Sequence, residues 1–278
     1  MSFDTPSKVK EILLRYNMRP VHGRGQNFLV DKNVIQKIIK ESNIKSTDNI
    51  LEIGPGLGVL TNELSGKVKK VLAIDIDKNI INLLEQEFEW PNVSILKKDI
   101  LKISNNEICK SLGSKKYKLI SNLPYQITSE VIEKFLTEEP QPTEILIMIQ
   151  REVGERILTR APHANLLSLM VEFYSDPKKL FRVSKNSFYP VPKVDSVIMK
   201  FIPKEPPLKS SVIKPFWEMV RAGFRSKRKY LFSNLASYTN YSKDELSKAW
   251  DSLGWGRKIR PENLSLGDWL KLFSKIRP

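Results

Sequence analysis

The stretch LEIGPGLGVLT, residues 51–61, passes from a buried-looking apolar run through a glycine-rich turn into a segment with helical spacing. Strand, tight turn and helix in that order open a βα unit, and in open α/β sheets ligands bind beyond the carboxyl ends of the strands. Working outward, NILEIG (49–54), KKVLAID (69–75), NVSILKKD (92–99), YKLIS (117–121) and TEILIMIQ (143–150) are short β-prone runs. Between them LGVLTNELSG, KNIINLLEQEF and SEVIEKFLTEE carry the helical period. Strands alternating with helices predict a mostly parallel sheet covered on both faces. KLFRVSK (179–185) and SVIMKFI (196–202) read as two more strands, an antiparallel pair at the sheet edge.

The fold class is therefore α/β: a Rossmann-like, doubly wound, mostly parallel seven-stranded sheet. PKEPPLKSS (203–211) interrupts the pattern with three prolines, a linker composition. After it the chain reads as helices only, over about 211–224, 226–237, 242–253 and 265–275. The expected organisation is a ligand-binding domain over 1–203, with a basic N-terminal arm, and a small all-α domain over 204–278.

Gly54, Gly56 and Gly58 allow backbone to approach a nucleotide-like ligand, and Asp75 ends the second of the five alternating strands 21 residues after Gly54. A carboxylate there can accept from both hydroxyls of a ribose. Dinucleotide sites read G-x-G-x-x-G around a pyrophosphate. Here the spacing is G-x-G-x-G, and Pro55 removes one N–H from the loop. Glu52 and Asp75 supply carboxylates where a phosphate would favour arginine. A cationic ligand without phosphates fits, and S-adenosyl-L-methionine is one. Asp99, in KKDIL, either accepts from an adenine amine beside Ile100 or caps a helix.

SNLPY (121–125) leaves the fourth strand at the same rim. Pro124 biases Leu123 away from helix, so the Leu123 carbonyl is available to the site. With the side-chain oxygen of Asn122 it makes two acceptors, matching the two N–H donors of an exocyclic amine. Such acceptors favour a pyramidal nitrogen and stabilise the positive charge that develops during methyl transfer. Tyr125 offers a ring on which a base can stack. Asn122, Leu123, Pro124 and Tyr125 are the candidate catalytic residues.

Bulk composition narrows the setting. The 46 Lys and Arg against 31 Asp and Glu give a net charge of +15. Residues 204–278 hold 16 basic and 7 acidic side chains. Such a tail suits either a polyanionic partner or a solvated lysine-rich surface. Arg225, Lys227, Arg228 and Lys229, interleaved with aromatics in GFRSKRKY (223–230), are the candidate RNA contacts. The single cysteine, Cys109, forms no internal disulfide, and with His22 and His163 far apart no metal site is expected. The longest apolar runs are too short to span a bilayer, and no secretory signal is evident, so a cytoplasmic monomer is expected.

Taken together these motifs resemble the small-subunit (16S) ribosomal RNA adenine dimethyltransferases, a class of S-adenosylmethionine-dependent enzymes. GQNFL (25–29), EIGPGLGVLT, NLPY, FYPVPKVDS (188–196), FRSKRKYLFSNL (224–235) and RPENLSL (260–266) carry the resemblance over nearly the whole chain. It implies that Asn27 and Leu29 close over the cofactor, Gly54 and Gly56 line it, Asp75 takes the ribose and Asp99 the adenine. Asn122 would contact cofactor and target amine, and Phe188 would join Tyr125 around a flipped adenine. It implies dimethylation of two adjacent adenosines in the 3′-terminal hairpin loop, with the immature small ribosomal subunit as partner. The family usually has glutamate at the position of Asp75. Alternatives are the large-subunit adenine methyltransferases of macrolide resistance, a non-catalytic assembly factor on the same fold, and a nicotinamide dehydrogenase.

Overall fold

The computed structural model describes residues 5–20, 26–226 and 228–276. Helix α1 (Pro6–Arg15) starts at Thr5, whose hydroxyl accepts from Lys8 N, and precedes the short strand β1 (Phe28–Leu29). Asp31 then caps α2 (Lys32–Glu41) by accepting from the N–H groups of Asn33 and Val34. There follow in alternation β2 (Asn49–Ile53), α3 (Val59–Ser65), β3 (Lys70–Asp75), α4 (Lys78–Glu87), β4 (Val93–Lys97), α5 (Asn105–Leu112), β5 (Lys118–Asn122), α6 (Thr128–Thr137) and β6 (Glu144–Gln150). Next come α7 (Arg151–Leu158), α8 (Leu166–Tyr174), β7 (Ser175–Val183), β8 (Phe188–Tyr189) and β9 (Ser196–Pro203). Four helices complete the chain: α9 (Ser210–Gly223), α10 (Leu231–Tyr238), α11 (Lys243–Leu253) and α12 (Leu266–Ile276).

The sheet has seven strands in the order β4-β3-β2-β5-β6-β9-β7. Every residue of β2 and the five central residues of β6 are buried, as helices on both faces of a parallel sheet require. Strands β4, β3, β2, β5 and β6 are parallel, and β9 inserts antiparallel beside β6. Chain order reverses between β2 and β5, which makes this the switch point of the sheet. Only Ile50↔Lys118 and Leu51↔Leu119 pair there, so the two strands diverge toward their carboxyl ends. Ser121 Oγ bridges the divergence by donating to the carbonyl of Ile53 at 2.5 Å.

The chain divides into two compact units. The first, Met1–Gly154 with Asp176–Pro203, contains the sheet. The second contains Glu155–Ser175 as well as Lys204–Pro278, so the helical unit is larger than the division at 203/204 expects. Residues 155–175 belong there because α8 is apolar nearly all round: Phe173 stacks on Phe216 at 5.3 Å and meets Trp217 edge-on at 5.2 Å. With no polar stripe, α8 lacks the amphipathic period by which a surface helix is read. Trp250 and Trp269 are fully buried in the same unit.

One further expectation changes. A helix from 226 is not formed; α10 begins at Leu231, and the basic run lies in turns. Asn234, itself buried, causes this by donating through Nδ2 to the carbonyls of Gly223 (2.6 Å) and Ser226 (3.1 Å). Separately, β1 and β8 form a two-stranded antiparallel sheet, with Phe28 opposite Tyr189 and Leu29 opposite Phe188. Among the described residues no helix is long and apolar enough to cross a membrane.

Candidate active site

Three segments meet on the glycine loop that leaves β2. Gly54 has φ +66°, and a side chain there would be strained and would crowd the Pro124 ring, whose Cγ and Cδ lie 3.2 Å from an added Cβ. Gly56, at φ +56°, leaves room for the Phe28 ring in the same way, 3.3 Å from an added Cβ. The glycine spacing thus brings the N-terminal segment and the NLPY turn together over one loop. Beneath them, at the divergence of β2 and β5, is a cavity of about 340 Å³, within the range of small-molecule sites.

Asn27, Leu29, Gly54, Gly56, Asp75, Asp99 and Asn122 all line this cavity, as do Leu123, Pro124 and Tyr125. Asp75 Oδ1 accepts from Asp77 N at 2.8 Å, which fixes the carboxylate at the end of β3. Asp99 caps no α-helix; its Oδ1 accepts from Leu101 N at 3.0 Å in a turn, and Lys102 Nζ lies 3.7 Å from Oδ2. Asp77 and Gln26 also line the cavity, and Gln26 Nε2 donates to Asp77 Oδ2 at 3.1 Å. Ile76 and Leu101 put exposed apolar surface at its wall.

Glu52 is the most perturbed group in the cavity. It is 1 % exposed, and its Oε2 has no hydrogen-bond partner among the described residues. Burial pushes its carboxyl up to about 8, against the opposing influence of the Thr61 hydroxyl. An orphaned buried carboxyl is a costly feature for a merely structural group. With Asp75, Asp77 and Asp99 nearby and Lys98 the only lining cation among the described residues, the cavity is suited to a positively charged ligand, not to a pyrophosphate.

The NLPY turn keeps two acceptors uncommitted. Leu123 N is spent on Met148 O at 3.2 Å, while the Leu123 carbonyl accepts from no described residue. The Asn122 side-chain amide, half-buried at the end of β5, likewise makes no hydrogen bond within the described residues. Pro124 is extended (φ −57°, ψ 126°), and Tyr125 begins a 3-10 turn over Tyr125–Ile127. The Tyr125 hydroxyl lies 2.7 Å from Ser196 Oγ. Burial raises the phenol above its ordinary range, so the ring is neutral at neutral pH.

Phe188 does not join this group. It is 1 % exposed and packs in the core with Leu29, Ile35 and Ile198, because its pairing with Leu29 turns it inward. Phe188 is not among the residues that line the cavity. Sequence reasoning also missed Ser196 and Asp77 as neighbours of the site. Asp77 sits two residues past Asp75 and carries a local signal; the partner of Ser196 is 71 residues away and carries none.

The candidate RNA contacts lie in the helical unit. Arg225 sits over the Tyr238 ring at 4.9 Å and Lys229 at 6.0 Å, and Arg228 is exposed. Lys227, like Arg24 and Gly25, lies outside the described residues. Arg257 stacks over Phe232 at 4.1 Å and Arg260 over Tyr230 at 5.2 Å. Leu231 N donates to Ile259 O at 2.8 Å, so the two basic loops are adjacent and their cations are held on aromatic faces. Among the described residues no group of His, Cys, Asp and Glu is placed to hold a metal ion.

The profile of the family described as ribosomal RNA adenine dimethylase matches residues 22–277. A ribosomal RNA small subunit methyltransferase A of Dehalococcoides mccartyi is 36% identical over 269 residues, covering 96% of this chain and 91% of the relative. The crystal structure of a dimethyladenosine transferase from Plasmodium falciparum superposes with a TM-score of 0.73 at 29% identity, covering 90% of this chain and 98% of that one. The 23S rRNA methyltransferase ErmE superposes with a TM-score of 0.69 at 25% identity, covering 91% of this chain and all of that one.

Proposed function

Because the chain belongs to the ribosomal RNA adenine dimethylase family, we propose that the cavity at the β2–β5 switch point is where it dimethylates two adjacent adenosines in the 3′-terminal hairpin loop of small-subunit ribosomal RNA. It is an S-adenosylmethionine-dependent 16S rRNA adenine dimethyltransferase. The large-subunit activity of ErmE is the more distant likeness, at 25% identity against 36% for the small-subunit relative.

One observation carries the assignment of the site: two acceptors without a hydrogen bond among the described residues, Asn122 Oδ1 and Leu123 O, stand beside Tyr125 in a cavity that also holds the buried Glu52. When bound, S-adenosylmethionine supplies a methyl group on a sulfonium. Asp75 takes its ribose hydroxyls, Asp99 its adenine amine through the oxygen not spent on Leu101, and Asn27 and Leu29 cover it. Gly54 and Gly56 admit it against backbone. Glu52 is the counter-charge for its cationic end.

Target chemistry belongs to the NLPY turn. Asn122 Oδ1 and Leu123 O accept the two N–H groups of the adenine amine, which draws its lone pair out of conjugation with the ring. The same oxygens offset the positive charge that grows on that nitrogen, in a site where little water competes. No protein base is required, since the nitrogen becomes strongly acidic once alkylated and its proton passes to solvent. Tyr125 stacks on the base, which loop adenosines can present cheaply because they leave their stack at little cost. Arg225, Arg228 and Lys229, with Arg257 and Arg260, hold RNA phosphates. The physiological partner is the immature small subunit, met by a cytoplasmic monomer.

The test is methyl incorporation by the purified protein into small-subunit particles lacking dimethyladenosine, with the modified residues located by mass spectrometry. Incorporation at two adjacent adenosines is the expected result. Incorporation into large-subunit RNA alone, or unchanged transfer in Asn122→Ala, would overturn the assignment.

A further inference from the structure

Tyr125 is the one aromatic group of the NLPY turn, and its ring enters the cavity from a short 3-10 turn. Different staggered χ1 wells send an aromatic ring in different directions, so the direction of the Tyr125 ring decides where a base can lie against it. What selects the rotamer is a contact at the far end of the ring. The phenol oxygen lies 2.7 Å from Ser196 Oγ, an ordinary distance for O–H···O bonding. A phenol oxygen lies on the Cβ–Cγ axis, so this bond fixes where the axis points and leaves the ring plane to its neighbours.

Ser196 is built as a fixed post. It is fully buried at the first position of β9, where it pairs with Gln150 in the sheet, and Val197 beside it pairs with Ile149. On its other side Asp195 is held three ways. Its Oδ1 accepts from Lys185 N at 2.9 Å, its Oδ2 accepts from Arg182 Nε at 3.0 Å, and its carbonyl accepts from Arg151 N at 2.9 Å. The post therefore cannot follow the ring if the ring turns away.

We propose that Ser196 is a positioning residue for methyl transfer, acting through Tyr125 by holding the ring axis where the target adenine is received. The inference rests on the reading of Tyr125 as the stacking group. It assigns no proton transfer to either hydroxyl: one donates to the other, and the phenol serves as a tether. Ser196 is not among the residues that line the cavity, so its influence is expected on the target side, through Tyr125.

The experiment uses the full chain, unmethylated small-subunit particles as substrate, and four variants: Ser196→Ala, Ser196→Thr, Tyr125→Phe and the double variant S196A/Y125F. Cofactor affinity is measured by calorimetry, and kcat and KM for the particle by methyl incorporation. Removing one neutral hydrogen bond from either side should lower kcat by about three- to tenfold. Cofactor Kd should stay within about twofold in every variant, a split that general loss of folding would not give. Ser196→Thr, which keeps the hydroxyl, should recover most of the rate. The double variant should match a single variant instead of showing the product of the two losses, because both remove the same bond.

Wild-type rates in Ser196→Ala or in Tyr125→Phe would overturn the proposal, as would multiplying losses in the double variant. If Ser196→Ala does not fold, Tyr125→Phe removes the bond from the other side and decides alone. A wild-type protein that leaves the adenosines unmodified removes the premise and the proposal together; an active wild type with an equally active Ser196→Ala removes the proposal only.

Discussion

Cofactor binding should expel a proton from Glu52. In the free protein burial holds this carboxyl at about 8, against an ordinary value of 4.5. At pH 7 about nine-tenths of the molecules therefore carry it neutral. A fixed positive charge within a few ångströms lowers a carboxylate by roughly 1–3 units. The bound form would then titrate at roughly 5–7, and binding at pH 7 would release from about half to about nine-tenths of a proton. Affinity should climb with pH across the interval between the bound value and 8, by about 10- to 1000-fold in all, and level off above it. Calorimetry at pH 7 in buffers of different ionisation enthalpy counts the proton directly, and titrations from pH 6 to 9 trace the slope. Glu52→Gln should bind more weakly at pH 8 and show neither effect. The same raised value has a consequence for folding. Between about 4.5 and 8 the native state holds a proton that the unfolded chain has lost, so stability should fall as pH rises through that window. At 1.36 kcal/mol per unit the loss is bounded at about 5 kcal/mol, and Glu52→Gln should remove the slope. A wild-type binding enthalpy independent of buffer, with flat affinity from pH 6 to 9, would refute the placement of a cationic ligand at Glu52.

Other substitutions probe the remaining parts. Tyr125→Ala should abolish most methyl transfer, with cofactor Kd nearly unchanged in calorimetry; normal transfer would end the stacking role. Gly54→Ala should lower unfolding free energy in urea by about 1–3 kcal/mol, because φ is +66° and Pro124 stands at 3.2 Å, and it should weaken cofactor binding as the NLPY turn is pushed away. Phe188→Leu should keep methyl transfer within a few-fold of wild type, whereas Phe188→Ala should cost about 3–5 kcal/mol in thermal or chemical unfolding; severe loss of transfer in a stable Phe188→Leu protein would restore a base contact. Replacing Arg225, Arg228 and Lys229 together by Ala should reduce the salt slope of RNA binding by roughly two to three, at about 0.7–0.9 per phosphate contact. An unchanged slope in filter binding would remove that loop from the interface.

What the sequence made readable was what is encoded locally. The glycine spacing, the acid 21 residues later, and an amide-leucine-proline-aromatic run at a strand end each declare their backbone geometry within a few residues. The structure sets them around one cavity because parallel strands all present their carboxyl ends at the same rim. Features made by distant pairing stayed hidden. Phe188 follows an exposed 3-10 turn and precedes prolines, which suits a surface aromatic; only its pairing with Leu29 buries it. The tether from Tyr125 to Ser196 spans 71 residues. Helix α8 escaped notice because its apolar residues surround the axis, and the start of α10 was misplaced because Asn234 holds the carbonyls of Gly223 and Ser226 out of a helical path.

The small clip between β1 and β8 has a bearing on the protein's own birth. Its halves lie 159 residues apart in the chain, Leu29 against Phe188. A growing polypeptide that already displays the glycine loop and the NLPY run still lacks the partner that seats its early segment, and it lacks the strand that fills the gap beside β6. At roughly 5–20 residues per second of translation, several seconds separate the first of these segments from the last. An unfinished copy emerging from the ribosome should therefore be silent as a catalyst until nearly the whole sheet unit has been made.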